Sequence, residues 1–232
     1  MAGGAGSGCG LTRTARHRFC YGSARILSST DTVLTAANIT KGTSARLPTP
    51  QGVFTITSYF DEATGIEHLA LYQGDPSGPE LLVRIHSECL TGDIFASLRC
   101  DCGPQLQLAL QRIAAAGRGL LIYMRGHEGR GIGIEQKLRA YNLQDQGMDT
   151  VEANLALGHP ADSRRFEAAA AILRDLGATS VNLMSNNPLK LLALREQGIE
   201  ILQREPHEIA ANPENAAYLN TKRERLGHLL GS

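Results

Sequence analysis

The chain has no tryptophan and only 5% aromatic residues among its 232, so stacking platforms for single-stranded nucleic acid are scarce. Neither sign of charge dominates: 23 Lys and Arg balance 23 Asp and Glu, which excludes a generally basic coat for nucleic acid. No apolar run reaches the roughly eighteen residues that a membrane-spanning helix requires, so no membrane partner is expected. Cysteine is sparse, five in all, an odd number in a chain well above the size of a disulfide-stapled scaffold. Metal binding or catalysis fits that usage better than cross-linking. The 42% hydrophobic and 20% charged residues that are present suffice to bury the core of one large domain or two small ones.

Residues 1–45 differ from the rest. The opening is rich in Gly and Ala, and Arg13, Arg16, Arg18 and Arg25 all precede the first acid, Asp31. This segment reads as an appended leader, with Cys9 and Cys20 incidental, ahead of one catalytic domain over 46–232. An organelle transit peptide, a bacterial extension, a misassigned start and an expression leader share such a composition; the expected location is cytoplasmic.

From Leu47 the pattern is regular. VFTITSYF at 53–60, HLALYQG at 68–74 and LLVRIHS at 81–87 read as strands. Leu106, Leu110 and Ile113 mark a helix over 105–116, followed by a strand at Leu120–Tyr123, which together suit a crossover unit. A helix running through Leu138 and Tyr141 ends near Gly147. Ser163–Leu176 reads as a helix closed by Gly177, VNLM as a strand, Pro188–Gln197 as a helix, IEILQ as the last strand and 216–229 as a final helix. The fold class expected is mixed α/β: a β-rich first part, then helices and strands alternating around a mixed sheet.

Four motifs carry chemistry. In RIHSECLTGDIFASLRCDCGPQ at 84–105, Cys100 and Cys102 sit two apart, facing one way if the segment is extended, with Cys89 closing from a nearby strand end. Three thiolates converging on zinc leave a fourth position for water, as a catalytic site needs; His86 as a fourth ligand makes the site structural instead. Three buried free thiols are the plain alternative, though Arg99 and Asp101 make a poor core pattern. GHEGRGIG at 126–133 offers backbone N–H groups, with charge from Arg125 and Arg130, to phosphate or carboxylate oxygens, and also reads as a plain turn. Asp162 or Ser163 is a natural N-cap for the helix expected there; with Arg164 and Arg165 that helix start doubles as a phosphate site. SNNPLK at 185–190 lies at a strand end before a helix, where open α/β sheets bind ligands. The tail run Lys222, Arg223, Glu224 and Arg225 reads as a solvated helix face.

Together with AYNLQDQGMDTVEAN at 140–154 and DSRRF at 162–166, these motifs stand in the order found in GTP cyclohydrolase II, the first committed enzyme of riboflavin synthesis, which the chain resembles from about LPTP at 47 to the TKRERLGHLL tail. The resemblance implies one catalytic zinc per subunit on Cys89, Cys100 and Cys102. It places GTP against Arg84, Ile85, His86, Ser87, Glu88, Gln105, Glu128, Gly129, Arg130, Thr150, Ser185 and Lys190. Gln105 and Glu128 suit the guanine edge; Arg84, Arg130 and Lys190 suit the triphosphate with its Mg2+. Asp162 is implied as proton acceptor, Arg164 as nucleophile toward the α-phosphorus, and Tyr141 as a group that orients or protonates near the base. A guanidinium that stays protonated is a poor nucleophile, and Arg164 fits charge stabilisation at least as well.

The implied reaction opens the imidazole ring of GTP to a formamide, then releases formate. The products are 2,5-diamino-6-(5-phospho-ribosylamino)pyrimidin-4-one, formate and pyrophosphate, with zinc supplying nucleophile and Lewis acid. Ser185 stands where Thr is usual in the family, Leu189 where a basic residue precedes Lys190, and His159 with Pro160 where Phe is frequent. RGHEGR resembles the loop of fused synthase–cyclohydrolase proteins; a stand-alone cyclohydrolase acting as a homodimer is expected. The competing readings are a variant that stops at the formamide and a zinc nucleotide-binding protein without turnover.

Overall fold

The computed structural model describes residues 37–230; the leader reading over 1–36, with Cys9 and Cys20, lies outside the described residues. The expected mixed α/β architecture is present. Strands β1 (Ile39–Thr49), β2 (Gly52–Asp61), β3 (Ile66–Gln73), β4 (Leu81–Ser87), β5 (Gly119–Met124), β6 (Ser180–Met184) and β7 (Glu200–Glu205) form one sheet in the order β1-β2-β3-β5-β4-β6-β7. The first three strands and β5 pair antiparallel, whereas β5, β4, β6 and β7 run parallel. Strand β1 begins inside the stretch that composition groups with the leader. Its residues are mostly exposed, so an edge strand of Ser, Thr, Lys and Gly carries no apolar alternation to announce it, and an edge position tolerates its Pro48.

Helices are α1 (Leu90–Asp93), α2 (Cys102–Ala116), α3 (Gly133–Asp145), α4 (Thr150–Ala156), α5 (Glu167–Asp175), α6 (Pro188–Glu196) and α7 (Ala216–Leu226). None of the described helices is long and apolar enough to cross a membrane. Alternation along β4 decides what lies on each side of the sheet. Leu81, Val83 and Ile85 enter a core shared with α5 and α6, while Leu82 packs toward Ile113 and Leu110 of α2. The four alanines 168–171 of α5 are all buried, letting that helix lie close on the sheet.

Connectivity fixes the position of the site. The chain leaves β4 through α2 to β5 on one side, returns through α5 to β6 on the other, and continues through α6 to β7. Connections from β4 and β6 therefore diverge, and the crevice at their carboxyl ends is the switch point where α/β sheets bind ligands.

Candidate active site

At the end of β4 the chain turns at Cys89 into α1. Asp93 organises this turn: its carboxylate accepts from the Cys89 backbone N–H (3.0 Å) and Tyr123 OH (2.8 Å), and lies 3.0 Å from His86 Nε2. His86 is thereby turned to Asp93 and does not join the sulfur cluster. The Cys100–Cys102 segment is not extended, as the spacing argument assumed; Asp101 has φ −101° and ψ 9°, and Cys102 is the first residue of α2. The turn still delivers the sulfurs. Sγ atoms of Cys89, Cys100 and Cys102 lie within 4.8 Å of one another, with Cys89 and Cys100 3.7 Å apart.

Two glycines permit this convergence. A Cβ on Gly92 would sit 2.8 Å from Cys100 Sγ and 3.2 Å from Cys89 Sγ, and a Cβ on Gly103 would collide with the carbonyl oxygen of Gly92. The residues fit a zinc ion: tetrahedral Zn–S bonds of about 2.3 Å put sulfurs roughly 3.8 Å apart. Among the described residues the cluster offers three ligands and no fourth, the pattern of an open, catalytic site. Hydrogen bonds from Cys100 and Cys102, aided by the Lys137 ammonium, pull the Cys89 thiol far down, whereas bonding to Cys100 and Cys89 pushes Cys102 well up. One thiolate is therefore favoured before any metal enters.

Around the cluster stands a ring of side chains that joins expected site residues to others, Lys137, Thr91, Asp101 and Lys222, not assigned to the site from sequence. Lys137 Nζ from α3 is 3.1 Å from Cys89 Sγ, 2.5 Å from Glu128 Oε1 and 2.9 Å from Thr91 Oγ1. Glu128 Oε2 also accepts from Leu90 N–H at 2.6 Å. Tyr141 OH lies 3.1 Å from Thr91 Oγ1, with the Arg99 guanidinium 4.7 Å over its ring. Burial raises the Tyr141 pKa, so its proton is held. On the other side Lys222 of α7 reaches Asp101 at 2.5 Å, and Asp101 accepts from Gln105, which accepts from Arg84 at 2.6 Å. Lys222 is thus buried in the site rather than on a solvated face, because Asp101 draws it in.

The cleft beside the sulfurs is cationic. Arg84, Arg130, Arg164, Lys190 and Lys222 all line it. Burial, then the charges of Arg84, Arg164 and Lys222, lowers the Lys190 pKa well below its ordinary value. Arg84 Nε, both terminal nitrogens of Arg130 and Asn154 Nδ2 are buried without hydrogen-bond partners among the described residues. Unpaired buried donors are costly, and such a crowd is what an anionic ligand resolves. Arg130 has φ 66° between Gly129 and Gly131, and its carbonyl accepts from Ser163 N–H at 3.0 Å.

The α5 helix starts at Glu167, not at Ser163, and neither Asp162 nor Ser163 caps it. Asp162 instead accepts from the Arg164 backbone N–H (3.0 Å), Nε (2.9 Å) and the second guanidinium arm (2.5 Å), while Ser163 is clipped to Arg130. The expected phosphate site at a helix start dissolves accordingly: Arg164 is in the cleft, but Arg165 is exposed and paired with Glu167. The remaining Arg164 nitrogen is 3.3 Å from Ser87 Oγ, which is 3.1 Å from His127 Nδ1.

Fifteen of the residues expected at the site line this cleft: Arg84, His86, Ser87, Glu88, Cys89, Cys100, Cys102, Gln105, Gly129, Arg130, Tyr141, Thr150, Arg164, Ser185 and Lys190. Three do not. Ile85 faces the core on the opposite side of β4, and only its carbonyl reaches the site, accepting from Lys190 Nζ at 2.8 Å. Glu128 is turned to Lys137 rather than to the cleft, and Asp162 stands behind Arg164. Lys137, Lys222, Tyr218, His127 and Asn154 are added to the lining.

Fold and site define an α/β unit with a three-cysteine cluster that could hold a metal at its switch point. Comparison with known proteins gives its family: the model of GTP cyclohydrolase II matches residues 40–206, and the chain belongs to the GTP cyclohydrolase II family. Riboflavin biosynthesis protein RibBA of Rhodococcus erythropolis is 55% identical over 189 residues, 79% of this chain and 45% of that protein. The RibBA protein of Aquifex aeolicus is 53% identical over 192 residues, 82% of this chain and 47% of that one. Bifunctional riboflavin biosynthesis protein RIBA 1, chloroplastic, of Arabidopsis thaliana is 53% identical over 194 residues, 83% of this chain and 36% of that one. The chain spans less than half the length of these relatives.

Proposed function

We propose that the protein hydrolyses GTP to 2,5-diamino-6-(5-phospho-ribosylamino)pyrimidin-4-one, formate and pyrophosphate, the entry step of riboflavin biosynthesis. The observation that carries this reading is the junction of two features in one cleft: three convergent sulfurs at one end and buried, partly unpaired arginines at the other. A polyanion with a hydrolysable ring suits both ends at once. Family membership supports the same substrate.

In this reading Cys89, Cys100 and Cys102 hold zinc, which when bound supplies a Lewis acid and an activated water. The side chains do the rest. Arg84, Arg130 and Lys190 take the triphosphate, with Mg2+ carried on the phosphates. His86, Ser87, Glu88, Gly129, Thr150 and Ser185 complete the nucleotide pocket. Gln105 joins it while steadied by Arg84 and Asp101, and Glu128 contributes by fixing Lys137 rather than by reading the base. Tyr141, its proton retained by burial, donates near the base.

Asp162 holds Arg164 by two guanidinium arms. Burial opposes the charge on Arg164, yet the hydrogen bond and charge of Asp162 prevail and raise its pKa. A guanidinium so held stays cationic, which suits stabilising charge at the α-phosphorus and removes the lone pair a nucleophile needs. The proposal extends to a cytoplasmic homodimer with one zinc per subunit, its catalytic unit beginning at Ile39; light scattering and metal analysis check the stoichiometry.

The test is to incubate zinc-loaded protein with GTP and Mg2+ and quantify formate, pyrophosphate and the pyrimidine by mass spectrometry, with Cys100→Ser as control. Equal amounts of all three, lost in the control, support the full reaction. Pyrophosphate with a formamide and no formate replaces it with the truncated reaction, and GTP binding without turnover replaces it with a binding role.

A further inference from the structure

Among the described residues Lys137 is the cation in hydrogen-bond contact with a cysteine of the cluster, and neither the resemblance nor the reaction above gives it a task. Its side chain is 10% exposed, its Nζ is 3.1 Å from Cys89 Sγ, and Glu128 Oε1 and Thr91 Oγ1 hold the ammonium from two other directions. Glu128 is itself tied to the cysteine turn through Leu90 N–H. The ammonium is therefore aimed by α3 and by the loop before it at the sulfur of one ligand.

We propose that Lys137 is a positioning residue of the metal centre: it donates an N–H···S hydrogen bond to the Cys89 thiolate and offsets one unit of its negative charge. This rests on the reading that the three cysteines hold the metal. Three thiolates bring charge −3 against +2 from zinc, an anionic centre in a buried setting where uncompensated charge is costly. Strong donation from three thiolates also weakens a metal as a Lewis acid. A hydrogen bond to sulfur withdraws part of that donation, as partners of ligands do at other metal sites. Cys102 has a different partner, being the first residue of the fifteen-residue α2, whose positive end it occupies. Cys89 heads a single turn of helix, so Lys137 provides there what α2 provides at Cys102.

The alternative is that Lys137 serves only to neutralise Glu128, and cobalt separates the two. Co2+ in place of zinc gives thiolate-to-metal charge-transfer bands in the near ultraviolet, whose energy falls when a hydrogen bond to sulfur is lost. Wild type, Lys137→Arg, Lys137→Met and the double variant Lys137→Met/Glu128→Gln are loaded with Co2+, their spectra recorded, and affinity measured against a chromophoric chelator. The double variant leaves no unpaired carboxylate and keeps the comparison where Lys137→Met alone fails to fold. The proposal expects Lys137→Arg to match wild type. It expects both methionine variants to show red-shifted bands and metal affinity weaker by about 10–100-fold. A double variant with wild-type bands and affinity overturns it and leaves Lys137 as the partner of Glu128 alone. Wild-type protein without thiolate–cobalt bands overturns instead the reading that the cysteines bind metal, and neither readout depends on turnover of GTP.

Discussion

A single missing methyl group lets three thiols converge closely enough to hold a metal. Gly92 leaves the space between the sulfurs open, since its Cβ would stand 2.8 Å from Cys100 Sγ and 3.0 Å from Cys102 Cβ. Gly92→Ala is expected to fold, because Gly92 is not at positive φ and lies outside both hydrophobic clusters, yet to bind metal at least about tenfold more weakly and to lose turnover in proportion. Metal content after gel filtration, together with circular dichroism, checks this; full metal occupancy in a folded Gly92→Ala protein contradicts it. At this scale the sequence was readable where chemistry is concentrated in one residue type. Thiols two and eleven residues apart name the cluster whatever the backbone does, and they did so even though the extended geometry assumed for Cys100–Cys102 is a turn. Lys137 and Lys222 were not readable. Each is an ordinary lysine on a helix, and the partners that make it part of the site, Cys89 and Asp101, lie 48 and 121 residues away.

At the scale of elements, hydrophobic runs located the central strands β4, β5 and β6 because both faces of each are buried. The edge strand β1 and the helix α4 went unseen. The first lacks an apolar face. The second announces itself only by Asp149 and Glu152, which form a capping box. Asp149→Ala is accordingly expected to cost about 1 kcal/mol of stability, measured by urea unfolding; its exposed pairing with Arg225 adds little. The start of α5 was misplaced for a related reason. Asp and Ser before a helix resemble a cap, but a nearby arginine offered Asp162 three charge-assisted bonds in place of one.

The tail shows the largest gap between pattern and place. Arg223, Glu224 and Arg225 are exposed as the pattern says, whereas α7 turns Lys222 into the site against Asp101, whose side chain is 2% exposed. Burial raises the carboxyl of Asp101, yet the charge and hydrogen bond of Lys222 prevail and lower it. Lys222→Met would strand that carboxylate between two cysteines of the cluster. The expected loss is about 3–5 kcal/mol, the cost of breaking one side of a buried pair, with metal affinity falling alongside. Lys222→Met/Asp101→Asn is expected to recover most of the stability by removing the stranded charge. Urea midpoints for the two proteins decide it, and equal midpoints contradict the pairing argument.

For the molecule as a whole, formal neutrality conceals an uneven distribution, with cations gathered in the cleft, and the histidines respond to it. Burial is the leading cause that lowers the pKa of His68, His86, His127, His207 and His228. Neighbouring arginines and lysines add to the effect, and His127, His207 and His228 are each brought to about 3. In the unfolded chain these imidazoles titrate near 6.5. A folded-state pKa below the unfolded one means that the unfolded chain binds protons first as pH falls. Their contribution is therefore complete above about pH 6.5 and is lost as pH falls from there toward 3. The depressed carboxylates Asp101, Asp162 and Asp175 add their own loss only near and below their ordinary value of about 3.9. Between about pH 6.5 and 4.5 the histidines thus add their slope to that of the depressed Cys89 thiol. The urea midpoint is expected to fall gently from about pH 8 to 7, where the depressed Cys89 thiol and Lys190 ammonium already favour proton uptake by the unfolded chain, and more steeply between about pH 6.5 and 4.5. His207 is fully buried, with its Nε2 2.8 Å from the Gln105 carbonyl; the variant His207→Gln keeps a donor there and cannot take up charge. Its midpoint should fall less steeply with acid than that of the wild type. A wild-type midpoint that falls no more steeply between pH 6.5 and 4.5 than between pH 8 and 7 would mean these imidazoles charge freely in the folded protein, and that the cationic cleft does not reach them.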